Sequence, residues 1–168
     1  MIDIFPVEGP WRGPLAVCAR PRPAPWLHDD LRNLRREGYG VLVSALTAGE
    51  IAESRLHEVE EACREHGIRY ANLPIANLGV PEVEAALPRL QGWLEALREG
   101  TGVAMHCFGS VGRGPTLVHG LLVLEGVPPA EAWHRVQQAR GREVPDTHKQ
   151  RQWVHGLLDG PLAPTPGA

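Results

Sequence analysis

Apolar positions along this chain fall into two patterns that alternate. "PLAVCA" (Pro14–Ala19) and "YGVLVSAL" (Tyr39–Leu46) are short, nearly unbroken apolar runs rich in branched side chains, the pattern of strands buried on both faces. "IRYANLPI" (Ile68–Ile75) is expected as the next strand, and "GVAMHC" (Gly102–Cys107) as the strand that leads into a glycine-containing loop. Between these runs the apolar residues recur at helical spacing. "WLHDDLRNLRREG" puts Leu27, Leu31 and Leu34 on one face, and Gly38 suits its stop. "TAGE" (Thr47–Glu50) fits a capping box and predicts a helical region lasting to about Gly67. "PEVEAALPRLQGWLEALREG" spaces Val83, Leu87, Leu90, Leu94 and Leu97 helically, with a kink expected at Pro88. Thr116–Glu125 is apolar nearly all round, which predicts a buried helix. "PAEAWHRVQQARG" and "DTHKQRQWVHGLLDG" close the chain as two more helices, with Trp133 and Trp153 as core anchors. No internal repeat is visible. Alternation of this kind predicts an α/β fold, a single domain with a largely parallel central sheet flanked by helices. Ligands of such sheets sit beyond the carboxyl ends of the strands.

Composition narrows the functional classes. The 168 residues suffice for one domain with a sizeable core. A formal charge of −3 implies no general basic surface, so no nucleic-acid partner is expected. Three cysteines (Cys18, Cys63 and Cys107) make no disulfide framework, which points to a reducing, cytoplasmic setting. The start "MIDIFPVEGPW" lacks the pattern of a signal peptide, and no apolar run is long enough for a membrane span. "ARPRPAP" (Ala19–Pro25) reads as a stiff loop. The domain is expected over residues 1–160, with 161–168 a disordered tail rich in proline, glycine and alanine.

Candidate chemistry concentrates in "HCFGSVGRGPT" (His106–Thr116), at the end of one predicted strand and the start of the buried helix. Gly109, Gly112 and Gly114 let backbone N–H groups turn inward as an anion nest, and the helix N-terminus adds positive potential. A Walker-type nucleotide loop would need lysine then serine or threonine after its last glycine; here Arg113 and Gly114 follow Gly112. Arginine's planar fork matches two phosphate oxygens. A nearby cation and a helix N-terminus lower a thiol's pKa from about 8.5 to roughly 3.5–7.5. Cys107 is therefore expected to be a thiolate nucleophile facing phosphorus, with Arg113 and the amides holding the oxyanion.

These residues resemble the cysteine-dependent protein tyrosine phosphatases, in the bacterial dual-specificity-phosphatase-like branch. The signature His-Cys-x5-Arg is met by His106, Cys107 and Arg113. "ARPRPAPWLHDDLRNLRREGYGVLVSALTAGEI", "LPIANLGVP" and "ARGREVPDTHKQRQWV" are similar to further segments of that branch. The resemblance implies a phosphomonoester hydrolase without metal or cofactor, acting on a phosphotyrosine protein or a small phosphomonoester. It implies that Cys107 forms a phosphocysteine. Arg113 and the backbone of Phe108, Gly109, Ser110, Val111 and Gly112 would bind the phosphoryl oxygens, and His106 would support the loop. Asp146 and Gln150 fall where the family often orients the hydrolytic water. Three positions depart from the pattern. Asn77 stands at the general-acid position, where an amide can donate a hydrogen bond but supplies no proton. Ser110 stands where glycine is usual, and Gly114 where a hydroxyl usually helps the thiolate leave. Slow turnover is the expected result, and the alternative is a phosphate- or phosphotyrosine-binding module.

The other candidates carry less. No metal-binding spacing occurs among the eight histidines. His28, His57 and His66 are expected to be solvated, His119 to be a hydrogen-bonded core residue, and Cys18 and Cys63 to be packed thiols. Asp29 and Asp30 are expected to favour the dipole of the helix they open, and "RNLRRE" to be a solvated face.

Overall fold

The computed structural model describes residues 1–159; the expected tail at 161–168 lies outside the described residues. Five strands form one sheet in the order β1-β2-β5-β3-β4: β1 Ile4–Val7, β2 Leu15–Cys18, β3 Tyr39–Ser44, β4 Arg69–Asn72 and β5 Gly102–His106. β2, β5, β3 and β4 run parallel, and β1 pairs antiparallel to β2 at the edge. The α/β architecture expected from the alternating pattern is the one observed. Strand β1 was not foreseen, because "IFPV" is four residues with a proline and carries almost no periodic signal.

Helices cover both faces. On one side lie α4 (Val83–Arg98), α5 (Arg113–Leu124), α6 (Pro129–Arg140) and α7 (His148–Asp159). Their Leu87, Leu90, Leu121, Trp133 and Trp153 pack with Val103 and Met105 of β5. On the other side α1 (Leu27–Arg36) and α3 (Val59–Glu65) press Leu27, Leu31, Leu34, Val59 and Ala62 against Ala16, Leu42 and Ala104. Residues 103, 105 and 107 belong to one face and 104 to the other, the period-two alternation of a strand. All twelve residues of α5 are buried, as its apolar composition predicted, although it begins at Arg113 rather than Thr116. α4 runs through Pro88, which sits on its exposed side.

The helical region expected from Thr47 to Gly67 is two helices, α2 (Ala48–Glu53) and α3. Arg55 takes a left-handed conformation (φ 53°). Its N–H donates to the carbonyl of Ala52, and that of Leu56 donates to Ile51. This is a Schellman stop with arginine where glycine is commonest. It turns Leu56 into the core and leaves Ser54 at the helix end.

Asp30 is more than a helix-dipole residue. It is fully buried and accepts hydrogen bonds from Arg22 at its backbone N (3.0 Å), Nε (3.0 Å) and Nη2 (2.6 Å). This clamps "ARPRPAP" to α1. Asp29, by contrast, pairs with Arg32 in solvent, both side chains more than 60% exposed. Asp30→Ala should therefore cost about 2 kcal/mol, because the Arg22 amide and guanidinium lose their acceptor and the buried carboxylate leaves a gap. Asp29→Ala should change stability by less than about 0.5 kcal/mol. Chemical denaturation of the two variants checks the contrast, and equal effects would contradict it.

Candidate active site

The sheet puts β5 at its centre, and Cys107 follows its last residue, His106. Residues 107–112 turn as a loop from there into α5, whose first residue is Arg113. The strand and the buried helix thus fix both ends of the loop. Cys107 is a free, buried thiol. His106 is buried, and its Nδ1 lies 3.1 Å from the Cys107 carbonyl. Because a carbonyl only accepts, Nδ1 carries the proton. Burial is the main influence that pushes the His106 pKa down to about 4; the bond to Cys107 opposes it, and the charges of Arg20 and Arg113 add to it. The imidazole is thus a neutral donor that holds the start of the loop.

Ser110 shows how a serine fills a position that favours glycine. It is buried in the left-handed region (φ 53°). Its hydroxyl donates to the Cys18 carbonyl at 2.6 Å and lies 3.4 Å from the Cys107 N–H, while its carbonyl accepts from Arg140 Nε at 2.8 Å. These side-chain and backbone bonds offset the strain of a non-glycine residue there, of order 1 kcal/mol. Phe108 and Gly109 are exposed, Val111 is half-buried and Gly112 is buried.

Arg113 is 2% exposed. Its Nη1 donates to Glu50 Oε2 and to the Ile75 carbonyl, and its Nη2 to Glu50 Oε1, each at 2.8 Å. Burial works against the guanidinium charge. The hydrogen bond to Glu50, the attraction of Cys107 and Glu50 and a hydrogen bond to Cys107 outweigh it and raise the Arg113 pKa above its ordinary value. The same bond, helped by the Thr47 amide, holds Glu50 down at about 2. Three of five N–H bonds are then used. The Nε–H and the second Nη2–H remain, parallel on one edge of the plane, the geometry that meets two oxygens of one phosphate.

The C-terminal segment reaches the loop as well. A Cβ on Gly112 would overlap the Asp146 carboxylate and come within 2.9 and 3.0 Å of the Gln150 amide, so both side chains lie directly against the loop. Gln150 is buried; its Oε1 accepts from the Asp146 and Thr147 N–H groups, and its Nε2 donates to the Gly79 carbonyl at 3.1 Å. Gly79 closes a tight turn by bonding Ala76 (2.8 Å), with Leu78 left-handed at φ 63°. Asn77 sits exposed on this turn, and among the described residues its amide has no protein partner. The structure therefore gathers Cys107, Arg113, Asp146 and Gln150 around one loop, and Asn77 belongs to a turn tied to it through Gln150.

No known protein-family model matches the chain. Rat cyclin-dependent kinase inhibitor 3 is 22% identical over 135 residues, covering 79% of this chain and 64% of that protein. The chain thus spans a little under two thirds of that relative's length. Kinase associated phosphatase, solved with its catalytic-site cysteine substituted by serine, matches with a TM-score of 0.85 at 21% identity, covering 94% of each chain. Tk-PTP in its active form matches with a TM-score of 0.71 at 25% identity, over 85% of this chain and 90% of that one. The fold is that of the dual-specificity-like phosphatases.

Three residues around the loop were not legible in the sequence. Glu50 was legible only as a capping-box residue; it bonds the Thr47 N–H (2.9 Å) and also pairs with Arg113. Its place, on the helix that leaves the carboxyl end of β3 beside β5, was the available signal. Arg20 and Arg140 came from a proline-rich loop and a helix end with no motif of their own. No group of metal-ligating side chains occurs among the described residues.

Glu50→Gln should lower stability by about 1–3 kcal/mol at neutral pH, since it removes the counter-charge of a buried guanidinium. A carboxylate held near 2, against an ordinary 4.5, contributes fully above about pH 4.5 and loses that contribution as pH falls toward 2. The gap between wild type and Glu50→Gln should then be flat from neutrality to about pH 5 and narrow below it. A gap that stays constant down to pH 3 would contradict this account.

Proposed function

We propose that the chain hydrolyses phosphomonoesters through a phosphocysteine intermediate. One observation carries the reading: Arg113 is fixed by Glu50 and Ile75 with its Nε/Nη2 edge clear of both and Cys107 within its reach, at the end of a six-residue turn that begins with Cys107. In the first step the Cys107 thiolate attacks phosphorus. The S–P bond forms, the P–O ester bond breaks, and the oxygen leaves with its electron pair and then takes a proton. In the second step water attacks phosphorus, the S–P bond breaks, and inorganic phosphate and the thiolate are released. Arg113 and the amides of Phe108, Gly109, Ser110, Val111 and Gly112 hold the equatorial oxygens. His106, neutral and donating to the Cys107 carbonyl, fixes the start of the loop. Asp146 and Gln150 orient the attacking water from their place against Gly112.

Asn77 cannot protonate the leaving oxygen, so the first step runs without the help that the family's usual aspartate would give. Gly114 offers no hydroxyl to the departing thiolate. Both favour slow turnover, and with none at all the chain would be a phosphate- or phosphotyrosine-binding module. Free thiols at 18, 63 and 107 suit a reducing, cytoplasmic setting. No helix among the described residues is long and apolar enough to cross a membrane.

Cys107→Ser should abolish hydrolysis of an aryl phosphate and keep phosphate affinity within about threefold, because the loop amides and Arg113 remain. Arg113→Lys should damage both, since an ammonium cannot offer two parallel N–H groups. Steady-state kinetics with phosphate-binding calorimetry decides the matter. Wild type binding phosphate without any turnover above the Cys107→Ser level would establish the binding-module alternative.

A series of aryl phosphates of differing leaving-group pKa tests the absent acid. A positioned acid is worth about 10²–10⁴-fold, most for poor leaving groups. Wild type should show a steep dependence of rate on that pKa, and Asn77→Asp should flatten it. A shallow wild-type slope that Asn77→Asp leaves unchanged and Asp146→Asn abolishes would assign the proton to Asp146 instead.

A further inference from the structure

Arg20 stands two residues past β2, on the edge of the sheet where the loop opens, since β2 pairs with β5 in parallel register. Its guanidinium carbon lies 3.8 Å from the ring centroid of Phe108, the residue that follows Cys107 in the loop. Its Nη1 donates to the Ser54 hydroxyl at 2.9 Å, at the end of the helix that carries Glu50. Two side chains from separate elements thus fix its position. No carboxylate balances it: among the described residues Arg20 forms no ion pair, whereas Arg22 has Asp30, Arg98 has Glu125 and Arg113 has Glu50. Nor does it brace the loop backbone, a task that Arg140 performs through the Ser110 carbonyl. Its Nε and Nη2 have no protein acceptor among the described residues. Its charge is felt inside the site, where it helps to hold His106 neutral. A half-buried cation of fixed position, without a counter-ion and one residue away from a nucleophile, has the attributes of a ligand contact.

We propose that Arg20, stacked on Phe108, is an anion subsite beside the phosphate loop, and that the substrate is a phosphomonoester carrying a second negative group, a carboxylate or another phosphate. This rests on the phosphomonoesterase reading of the loop. The transferred phosphate occupies the amides and Arg113, and the second group pairs with the Nε/Nη2 edge of Arg20. Phe108, 39% exposed, is the apolar floor over which the guanidinium carbon rests.

The test compares 3-carboxyphenyl phosphate with its neutral counterpart, 3-carbamoylphenyl phosphate. Binding is read by calorimetry on Cys107→Ser, so that leaving-group chemistry does not enter, and turnover is read on the wild-type chain. The carboxylate should bind about tenfold tighter than the amide. That ratio should fall toward one in Cys107→Ser/Arg20→Gln, while affinity for the amide changes less than about twofold. Raising salt from roughly 20 to 500 mM should shrink the ratio in the parent, a readout that needs no second variant to fold. A purely structural Arg20 would instead lower stability on substitution and leave the ratio unchanged, which overturns the proposal. Equal affinities for the two compounds, with turnover of both by wild type, overturn the subsite and leave the phosphatase reading standing. Tight, Arg20-dependent binding of the carboxylate without any turnover supports the subsite and removes the hydrolase. Failure of Cys107→Ser to bind either compound overturns both.

Discussion

Everything at the loop depends on one buried ion pair. A guanidinium that is 2% exposed needs a counter-charge, and the backbone of the loop has none to offer. Glu50 supplies it in bidentate fashion from another element. The same carboxylate caps α2 through Thr47, so the start of that helix, the start of α5 and the approach to the Ala76–Gly79 turn through Ile75 share one set of bonds. Without the pair, Arg113 would have to reach water, and both the loop and the turn would lose their reference point. Burial raises the cost of the charge, and it also keeps water from weakening the pair with Glu50.

Much of this was legible in the sequence, for identifiable reasons. Strands β2, β3 and β5 announced themselves because burial on both faces demands continuous apolar runs, whereas β4 lies half-exposed at the sheet edge. The helix of Thr116–Glu125 did so because a helix with no polar side can only be interior. The pairing of Cys107 with Arg113 was legible because both ends of the loop are local in sequence. Relationships between distant segments were not legible. Nothing in "TAGE" announces a partner 63 residues away. The break after α2 was hidden because Arg55, not glycine, adopts the left-handed stop. Asp30 looked like any first-turn carboxylate until its burial against Arg22 came into view.

The two flanks of the loop are built differently. On the side of α6 and α7, Arg140, Asp146 and Gln150 lie against loop backbone, and Gly112 leaves them no gap. On the side of β2 and α2, the Ser110 hydroxyl holds the Cys18 carbonyl and Glu50 holds Arg113, while Arg20 lies on Phe108 and bonds the Ser54 hydroxyl through side chains alone. The first flank resists change, because each partner fits a fixed carbonyl or amide. On the second flank Arg20 and Phe108 meet only through their side chains, so these two can exchange without disturbing the path of the chain.

That asymmetry has a consequence for how such a protein can diversify. α5 is enclosed on every side, so a substitution along it opens a cavity or forces an overlap, and the loop that leads into it inherits the error. Change is therefore least tolerated along the helix that anchors the arginine. It meets least resistance at positions 20, 77, 78 and 108, whose side chains touch solvent and which the core does not constrain. Leu78 illustrates the freedom: a bulky side chain, 54% exposed in a backbone conformation suited to glycine, is tolerated there because the fold asks nothing of it.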